Sequence, residues 1–285
     1  MIFTSVRQVT VKTAISMNLD LQRPMNSPIS PVNVRKSNAQ WPGYVRLEMK
    51  GCQAVARDWA ASAVVNALRC GTLHEWAAGQ PVTEEMRGRG VIYSVDLPTV
   101  PATPVVIRRN RHGGLMGNVT GEYFLSPTRA PLELATSLRL AAAGIATPEV
   151  IAYALYPVVG IFARSDIMTR RLPEGDDAPA AWKKGSASDH SAILRAIAGL
   201  LKALADAGAW HADLNLKNIY IADSDENLTA YLLDVDRVTF PLEGNVAERN
   251  FTRLARSVRK WRARWGLDFD EDSLVQLAAY IQENR

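Results

Sequence analysis

The residues best suited to do chemistry lie in Trp210-His211-Ala212-Asp213-Leu214-Asn215-Leu216-Lys217-Asn218-Ile219-Tyr220-Ile221. The stretch has the form apolar-His-x-Asp-x-x-x-x-Asn and runs straight into a short apolar strand. A second stretch, Tyr231-Leu232-Leu233-Asp234-Val235-Asp236-Arg237, is an apolar strand that ends on an acid. That order suits phosphoryl transfer. An Asp accepts or orients the proton of an attacking hydroxyl, an Asn further on holds one magnesium ion, and a later Asp at a strand end holds the other. Magnesium fits because it prefers hard oxygen ligands and shares its shell with phosphates. The competing reading is a helix-to-strand loop whose Asp and Asn only form turns. The apolar strands beyond it, the second closed by Asp234, weigh against that reading. Asp213 is therefore the candidate base, and Asn218 and Asp234 are the candidate metal ligands. His211 is read as structural. Lys217 falls between the two key positions, where it either contacts the transferring phosphate or is a solvated loop lysine; the first reading is narrowly preferred.

The strands and helix expected to hold these residues in place can be read upstream. Arg87-Gly88-Arg89-Gly90-Val91-Ile92-Tyr93-Ser94-Val95 reads as strand, glycine turn, strand, and Val105-Val106-Ile107-Arg108 as the next strand. Backbone N–H groups at Gly88 and Gly90 can lie over nucleotide phosphates, because glycine permits close approach. The ordinary-hairpin reading competes, since the third glycine of a protein-kinase loop is replaced by Tyr93. Arg108 follows three β-branched residues and occupies the place of the kinase lysine, so it is the candidate phosphate-binding cation; an arginine can bridge phosphate and carboxylate bidentately. Arg129 to Gly144 reads as a helix. Glu133 near its start either pairs with Arg108 or is an ordinary helix acid, and the residues alone leave both open.

The remaining elements follow from periodicity. Residues 1–43 show no sustained period and are rich in Ser, Asn and Pro, which predicts a poorly ordered extension. Tyr44 to Met49 alternates like a strand. The apolar spacing of Val55, Trp59, Val64 and Leu68 predicts one helix from Cys52 to Leu68. Residues 173–185 read as a polar linker. A helix capped by Ser188 carries Ile193, Leu194, Ile197, Leu200, Leu201 and Leu204 on one stripe. Arg249 to Trp265 reads as a basic helix, for which core packing with a solvated face is preferred over docking on an anionic membrane or glycolipid.

Composition narrows the class. The 285 residues fit one bilobal domain or two small ones. Net charge is +4 and pI about 9.1, a mild basic excess that suits an anionic substrate or surface and is too weak to argue for nucleic acid. The two cysteines, Cys52 and Cys70, have neither metal spacing nor a disulfide framework, which predicts a reducing compartment. With no signal peptide and no span read in the sequence, a cytoplasmic protein is expected.

Taken together the motifs resemble the lipopolysaccharide kinase family, which includes kinases of 3-deoxy-D-manno-octulosonic acid (Kdo) and of core heptose. The resemblance rests on Gly88-Arg89-Gly90, on Val106-Ile107-Arg108 with Arg111-His112-Gly113-Gly114, and on Leu132-Glu133-Leu134 through Gly144-x-x-x-Pro148. It continues in Arg164-Ser165-Asp166-Ile167-Met168-Thr169, His211 to Asn218, and Leu233-Asp234-Val235-Asp236-Arg237. The Arg-x-x-Arg-x-Gly-Gly form is closer to the Kdo branch. The Asn-Leu-Lys interior of the loop departs from the Asn-Ala-His usual there, and an extra segment precedes the core.

The resemblance implies an α+β, protein-kinase-like bilobal fold: a β-rich N-lobe with one key helix over residues 44–172 and a compact, mostly helical C-lobe over 173–285. It implies ATP and Mg2+ as cofactors and a lipopolysaccharide or Kdo-lipid A precursor as acceptor, met at the inner face of the inner membrane. By motif, Asp213 is the base, Asn218 and Asp234 are the metal ligands, and Glu133 is the partner of Arg108. The rivals are a small-molecule phosphotransferase of the aminoglycoside or choline kinase type, and a nucleotide-binding pseudokinase prompted by arginine in the lysine position.

Overall fold

The computed structural model describes residues 33–36, 41–80, 84–87, 91–110, 124–125, 129–158, 162–224 and 227–283. Most of the expected extension, both loop glycines Gly88 and Gly90, and the Arg111-His112-Gly113-Gly114 segment lie outside them. The sheet begins within residues 1–43: Asn33–Lys36 (β1) pairs antiparallel with Tyr44–Met49 (β2).

Among the described residues seven further strands belong to this sheet: Cys52–Arg57 (β3), Glu84–Arg87 (β4), Val91–Leu97 (β5), Thr103–Arg109 (β6), Phe124–Leu125 (β7), Val150–Pro157 (β8) and Phe162–Arg170 (β9). Their order is β1-β2-β3-β8-β9-β6-β5-β4, with β7 also on β9, and every pair is antiparallel. One helix was expected over Cys52–Leu68. The chain instead forms β3, a 3-10 turn at Asp58–Ala60 and a helix at Ala61–Arg69 (α1). Gly51, at φ +76°, folds the chain back so that Met49 pairs with Cys52. Ala54, Val55 and Ala56 are then buried on both faces. A strand covered on both sides reads as a continuous apolar run and is easily taken for a helix.

Helices cover both faces. α1 and Leu73–Ala78 (α2) pack Val64, Leu68, Leu73 and Trp76 against Leu47, Val105, Ile107 and Met168. On the other face Arg129–Ala142 (α3) packs Ala130 and Leu134 against Tyr153 and Ile167. Because side chains alternate along a strand, Val105 and Ile107 point toward α1 and α2, and Arg108 points toward α3. The start of α2 is fixed by a capping box. Thr72 Oγ1 accepts from the Glu75 N–H at 3.1 Å, and the Glu75 carboxylate accepts from the Thr72 N–H at 2.9 Å, an arrangement typically worth about 1 kcal/mol.

The second half has its own core. The polar linker expected over 173–185 is a strand, Gly175–Asp177 (β10), followed by a helix, Ala178–Lys184 (α4). Asp177 caps α4, and Trp182 is buried by stacking on Phe269 at 4.2 Å and on His190 at 3.9 Å. The long helix is Ala187–Asp206 (α5). It begins after Ser186 rather than at Ser188, with the Ser186 N–H donating to the Asp189 carboxylate at 2.7 Å. Its apolar stripe, the hairpin Ile219–Ser224 (β12) and Asn227–Leu232 (β13), and the helices Val246–Trp265 (α6) and Glu271–Glu283 (α7) close around Phe269, Leu254, Val258 and Leu277. Burying each such side chain is worth about 1.5–3 kcal/mol. Short strands at Trp210–His211 (β11) and Val238–Thr239 (β14) pair beside this core.

Candidate functional site

Two loops are sewn together by main-chain bonds. β11 pairs with β14, the Ala212 N–H donates to the Arg237 carbonyl at 3.1 Å, and the Leu233 N–H donates to the Asn218 carbonyl at 2.8 Å. The segment 212–218 and the segment 233–237 are therefore held side by side, which gathers Asp213, Asn218, Asp234 and Asp236 at one place. His211 sits at the centre and is fully buried. Its Nδ1 accepts from the Asp213 N–H at 3.1 Å, so its proton is on Nε2. The Leu233 carbonyl favours that proton, although Nε2 closes no hydrogen bond of normal geometry. Burial lowers the His211 pKa below the ordinary imidazole value, against the pull of the Leu233 carbonyl and the three aspartates. The neutral form of His211 is thereby favoured, and its Nδ1 contact with the Asp213 N–H ties the ring to the loop.

Within the loop, Asn215 folds back on itself. Its Oδ1 accepts from the Lys217 N–H at 2.9 Å, and its Nδ2 donates to the Asp213 carbonyl at the same distance. Asn218 Nδ2 donates to that carbonyl at 3.0 Å. A carbonyl only accepts, so the Asn218 amide is oriented with Nδ2 on that carbonyl and Oδ1 on the opposite side of the amide. Asp234 is left-handed at φ 57°, ψ 47°, the one non-glycine with positive φ among the described residues. Such a conformation costs about 1 kcal/mol or more and is tolerated best by Asn and Asp. Hard oxygens from one amide and one carboxylate form a donor set that fits magnesium, which keeps much of its shell for water and phosphate.

From the sheet side, Arg108 donates to the Glu133 carboxylate of α3 and to Asn110 Oδ1 at 3.0 Å. Glu133 is 6% exposed and Arg108 is 30% exposed. Burial drives the Glu133 pKa up, countered by Arg108. The Arg108 charge is favoured by Glu133 and, more weakly, by Asp234 and Asp236. The pair therefore stands within electrostatic reach of the Asp234 turn. α3 is tied directly to that turn by Arg129 Nη1, which donates to Asp236 Oδ2 at 3.1 Å. Burial and the Asp234 charge raise the Asp236 pKa, and its buried Oδ1 has no hydrogen-bond partner. An unpartnered carboxylate oxygen beside the Asp234 turn has acceptor capacity for a cation.

Lys217 does not point at the other site residues. Its Nζ contacts Asp177 at 2.6 Å and lies 5.6 Å from the Trp261 ring centroid.

The sequence reading missed the clamp on the loop. α6 presents Asn250, Arg253 and Ser257 on one stripe. The buried Asn250 accepts from the His211 N–H at 3.1 Å and donates to the Ala209 carbonyl at 2.9 Å. Ser257 Oγ accepts from the Leu216 N–H at 3.2 Å. Arg253 Nε donates to the Ala212 carbonyl at 3.2 Å, and its Nη2 meets Asp213 Oδ1 at 2.5 Å. Arg109 was also passed over; it turns the opposite way from Arg108, to the buried Asp166 at 3.2 Å and to Thr72 at 3.1 Å. Strand alternation was the signal available for Arg109. For the α6 residues the signal was only their helical spacing.

Comparison with known proteins adds a family. The model of the lipopolysaccharide kinase (Kdo/WaaP) family matches residues 74–276. The 3-deoxy-D-manno-octulosonic acid kinase of Pasteurella multocida is 24% identical over 211 residues, covering 73% of this chain and 87% of that relative. The enzyme of the same name from Vibrio parahaemolyticus is 29% identical over 189 residues, covering 65% of this chain and 76% of that relative. A solved structure, WaaP in complex with acyl carrier protein, superposes with a TM-score of 0.46 at 14% identity, over 71% of this chain and 79% of that one.

Proposed function

The chain belongs to the lipopolysaccharide kinase (Kdo/WaaP) family of phosphotransferases, and from that membership we propose that it moves the γ-phosphoryl group of ATP to a hydroxyl of Kdo on a lipid A precursor. The sheet half and the helical half act as the two lobes of a protein-kinase-like fold, with the nucleotide between them. The observation that carries this reading is the convergence of the Arg108–Glu133 pair and the Asp234–Asp236 turn on the Asp213–Asn218 loop.

In the reaction, Asp213 accepts the proton of the sugar hydroxyl as that oxygen bonds to the γ-phosphorus. The bond from phosphorus to the bridging oxygen breaks, and ADP leaves. Arg253 occupies Oδ1 of Asp213, so Oδ2 is the atom that takes the proton. Arg108, oriented by Glu133, holds phosphate oxygens. Asn218 Oδ1 and the Asp234 carboxylate are the groups that would hold magnesium, which would supply charge stabilisation to the transferring group. General-base assistance of this kind is worth about 10²- to 10⁴-fold in rate. No described helix is long and apolar enough to cross a membrane, and the lipid-linked acceptor is met from the cytoplasmic face of the inner membrane.

The test is transfer of labelled γ-phosphate from Mg-ATP to a Kdo-lipid A precursor, by wild type and by Asp213→Ala. Transfer by wild type that is lost in the variant supports the assignment. Label reaching no Kdo acceptor, with ATP still bound, turns the choice to a small-molecule kinase or a pseudokinase.

A further inference from the structure

The cleft beside the Asp213 loop is lined by Trp210, Asn245, Glu248, Arg249, Thr252, Arg253 and Arg256, and holds about 430 Å³, within the range of small-ligand sites. Arg249, Arg253 and Arg256 stand one helical turn apart on α6, so three guanidinium groups share one face. Glu248 is the one carboxylate among the lining residues, and the cleft is net positive.

Each arginine is held differently. Arg249 sits over the Trp210 ring, its guanidinium carbon 3.7 Å from the centroid. Stacking leaves the N–H edge of a guanidinium free to donate in its own plane. Arg253 spans from the cleft to Asp213 Oδ1 at 2.5 Å. Arg256 is exposed and has no hydrogen bond or ion pair among the described residues. Keeping like charges together on one helix face is unfavourable, and a bound anion offsets that. Arg253 fixes the position of that anion relative to the chemistry. A hydroxyl delivered to Asp213 brings the rest of its sugar ring against the α6 face.

We infer that Arg249, Arg253 and Arg256 form the acceptor subsite and bind the carboxylate of the sugar acid whose hydroxyl is delivered to Asp213. This rests on the sugar-kinase reading and deepens it. A planar carboxylate matches the guanidinium fork bidentately. Its place in the cleft fixes which hydroxyl of the ring meets Oδ2 of Asp213. Arg249 and Arg256 are specificity residues in this scheme; Arg253 is a positioning residue that joins the subsite to the base.

The experiment uses the full chain with Mg-ATP and two soluble acceptors, the methyl glycoside of Kdo and the same glycoside with its carboxylate converted to the carboxamide. Neither carries a phosphate. Wild type should favour the acid by roughly ten- to hundredfold in kcat/KM, the size of one or two charge-assisted hydrogen bonds. Arg256→Gln and Arg249→Gln, both at exposed or half-exposed positions, should each shrink that ratio several-fold by raising KM for the acid more than KM for the amide, with kcat on either acceptor little changed. The inference is overturned if wild type uses both acceptors equally, or if the variants lose equally on both. It is also overturned if the arginine effect appears only with a phosphorylated lipid acceptor, which would assign the cleft to a lipid phosphate. If wild type phosphorylates neither glycoside nor the lipid-linked acceptor, the sugar-kinase reading fails and the inference falls with it.

Discussion

Asn250 accepts the His211 N–H at 3.1 Å and returns a bond to the Ala209 carbonyl at 2.9 Å, so one buried amide on α6 holds the strand that leads into the Asp213 loop. Both bonds are satisfied inside the protein. Removing the amide leaves a buried donor and a buried acceptor without partners.

Asn250→Ala is therefore expected to destabilise the fold by about 1–3 kcal/mol and to lower kcat by roughly 10²-fold, because a small displacement of the base is costly. Denaturant unfolding and γ-phosphate transfer on the same preparation check this. A variant of normal activity would show that α6 does not position the loop.

The Arg108–Glu133 pair predicts an asymmetry. Arg108→Ala strands a nearly buried carboxylate and should cost about 3 kcal/mol, whereas Glu133→Gln removes the charge and should cost less. Both should raise KM for ATP about tenfold or more, the size of one charge-assisted bond. Arg108→Lys should recover only part of that loss, since an ammonium cannot bridge phosphate and carboxylate as a fork does. Thermal unfolding with and without ATP separates the two effects.

Asp234 sets stability against activity. Its left-handed backbone suits glycine better, so Asp234→Gly should unfold no earlier than wild type, and up to about 1 kcal/mol later. Transfer should nonetheless collapse and should not return at tenfold higher magnesium. Asn218→Ala should raise the magnesium needed for half-maximal rate, and a chelator should abolish transfer by wild type. Retained transfer by Asp234→Gly would remove Asp234 from the metal site.

His211 gives the protein an acid-sensitive contribution. Its folded pKa lies below the ordinary value of 6.5 because burial disfavours the cation. As pH falls through 6.5 the unfolded chain takes up a proton that the folded chain refuses, so stability drops from that point downward until the folded pKa is reached. His211→Gln should show a smaller loss of unfolding midpoint between pH 7.5 and 5.5 than wild type. An equal loss in both would place the sensitive group elsewhere.

The chemistry-bearing pattern is legible in the residues alone. His211 to Asn218 and the acid ending the next strand are local in the chain, and their spacing is readable without knowing what packs on them. The sequence also carried Arg108 to the end of a buried strand, since three β-branched residues precede it. The rest depends on contacts between segments distant in the chain. Arg108 and Arg109 are neighbours of the same type, yet one meets Glu133 and the other Asp166, because the pleat of β6 points them at opposite faces. Cys52–Arg57 was expected to be helical, and it is a strand because it lies under helices on both sides. Residues 173–185 look polar, but Trp182 finds Phe269 far along the chain and makes the segment part of the core. Asn250, Arg253 and Ser257 could not be told from any polar helix face. Their partners lie about forty residues upstream, and docking of α6 against the loop is what brings them together. Local pattern fixes residue type and spacing; which face meets which is set by packing at a distance.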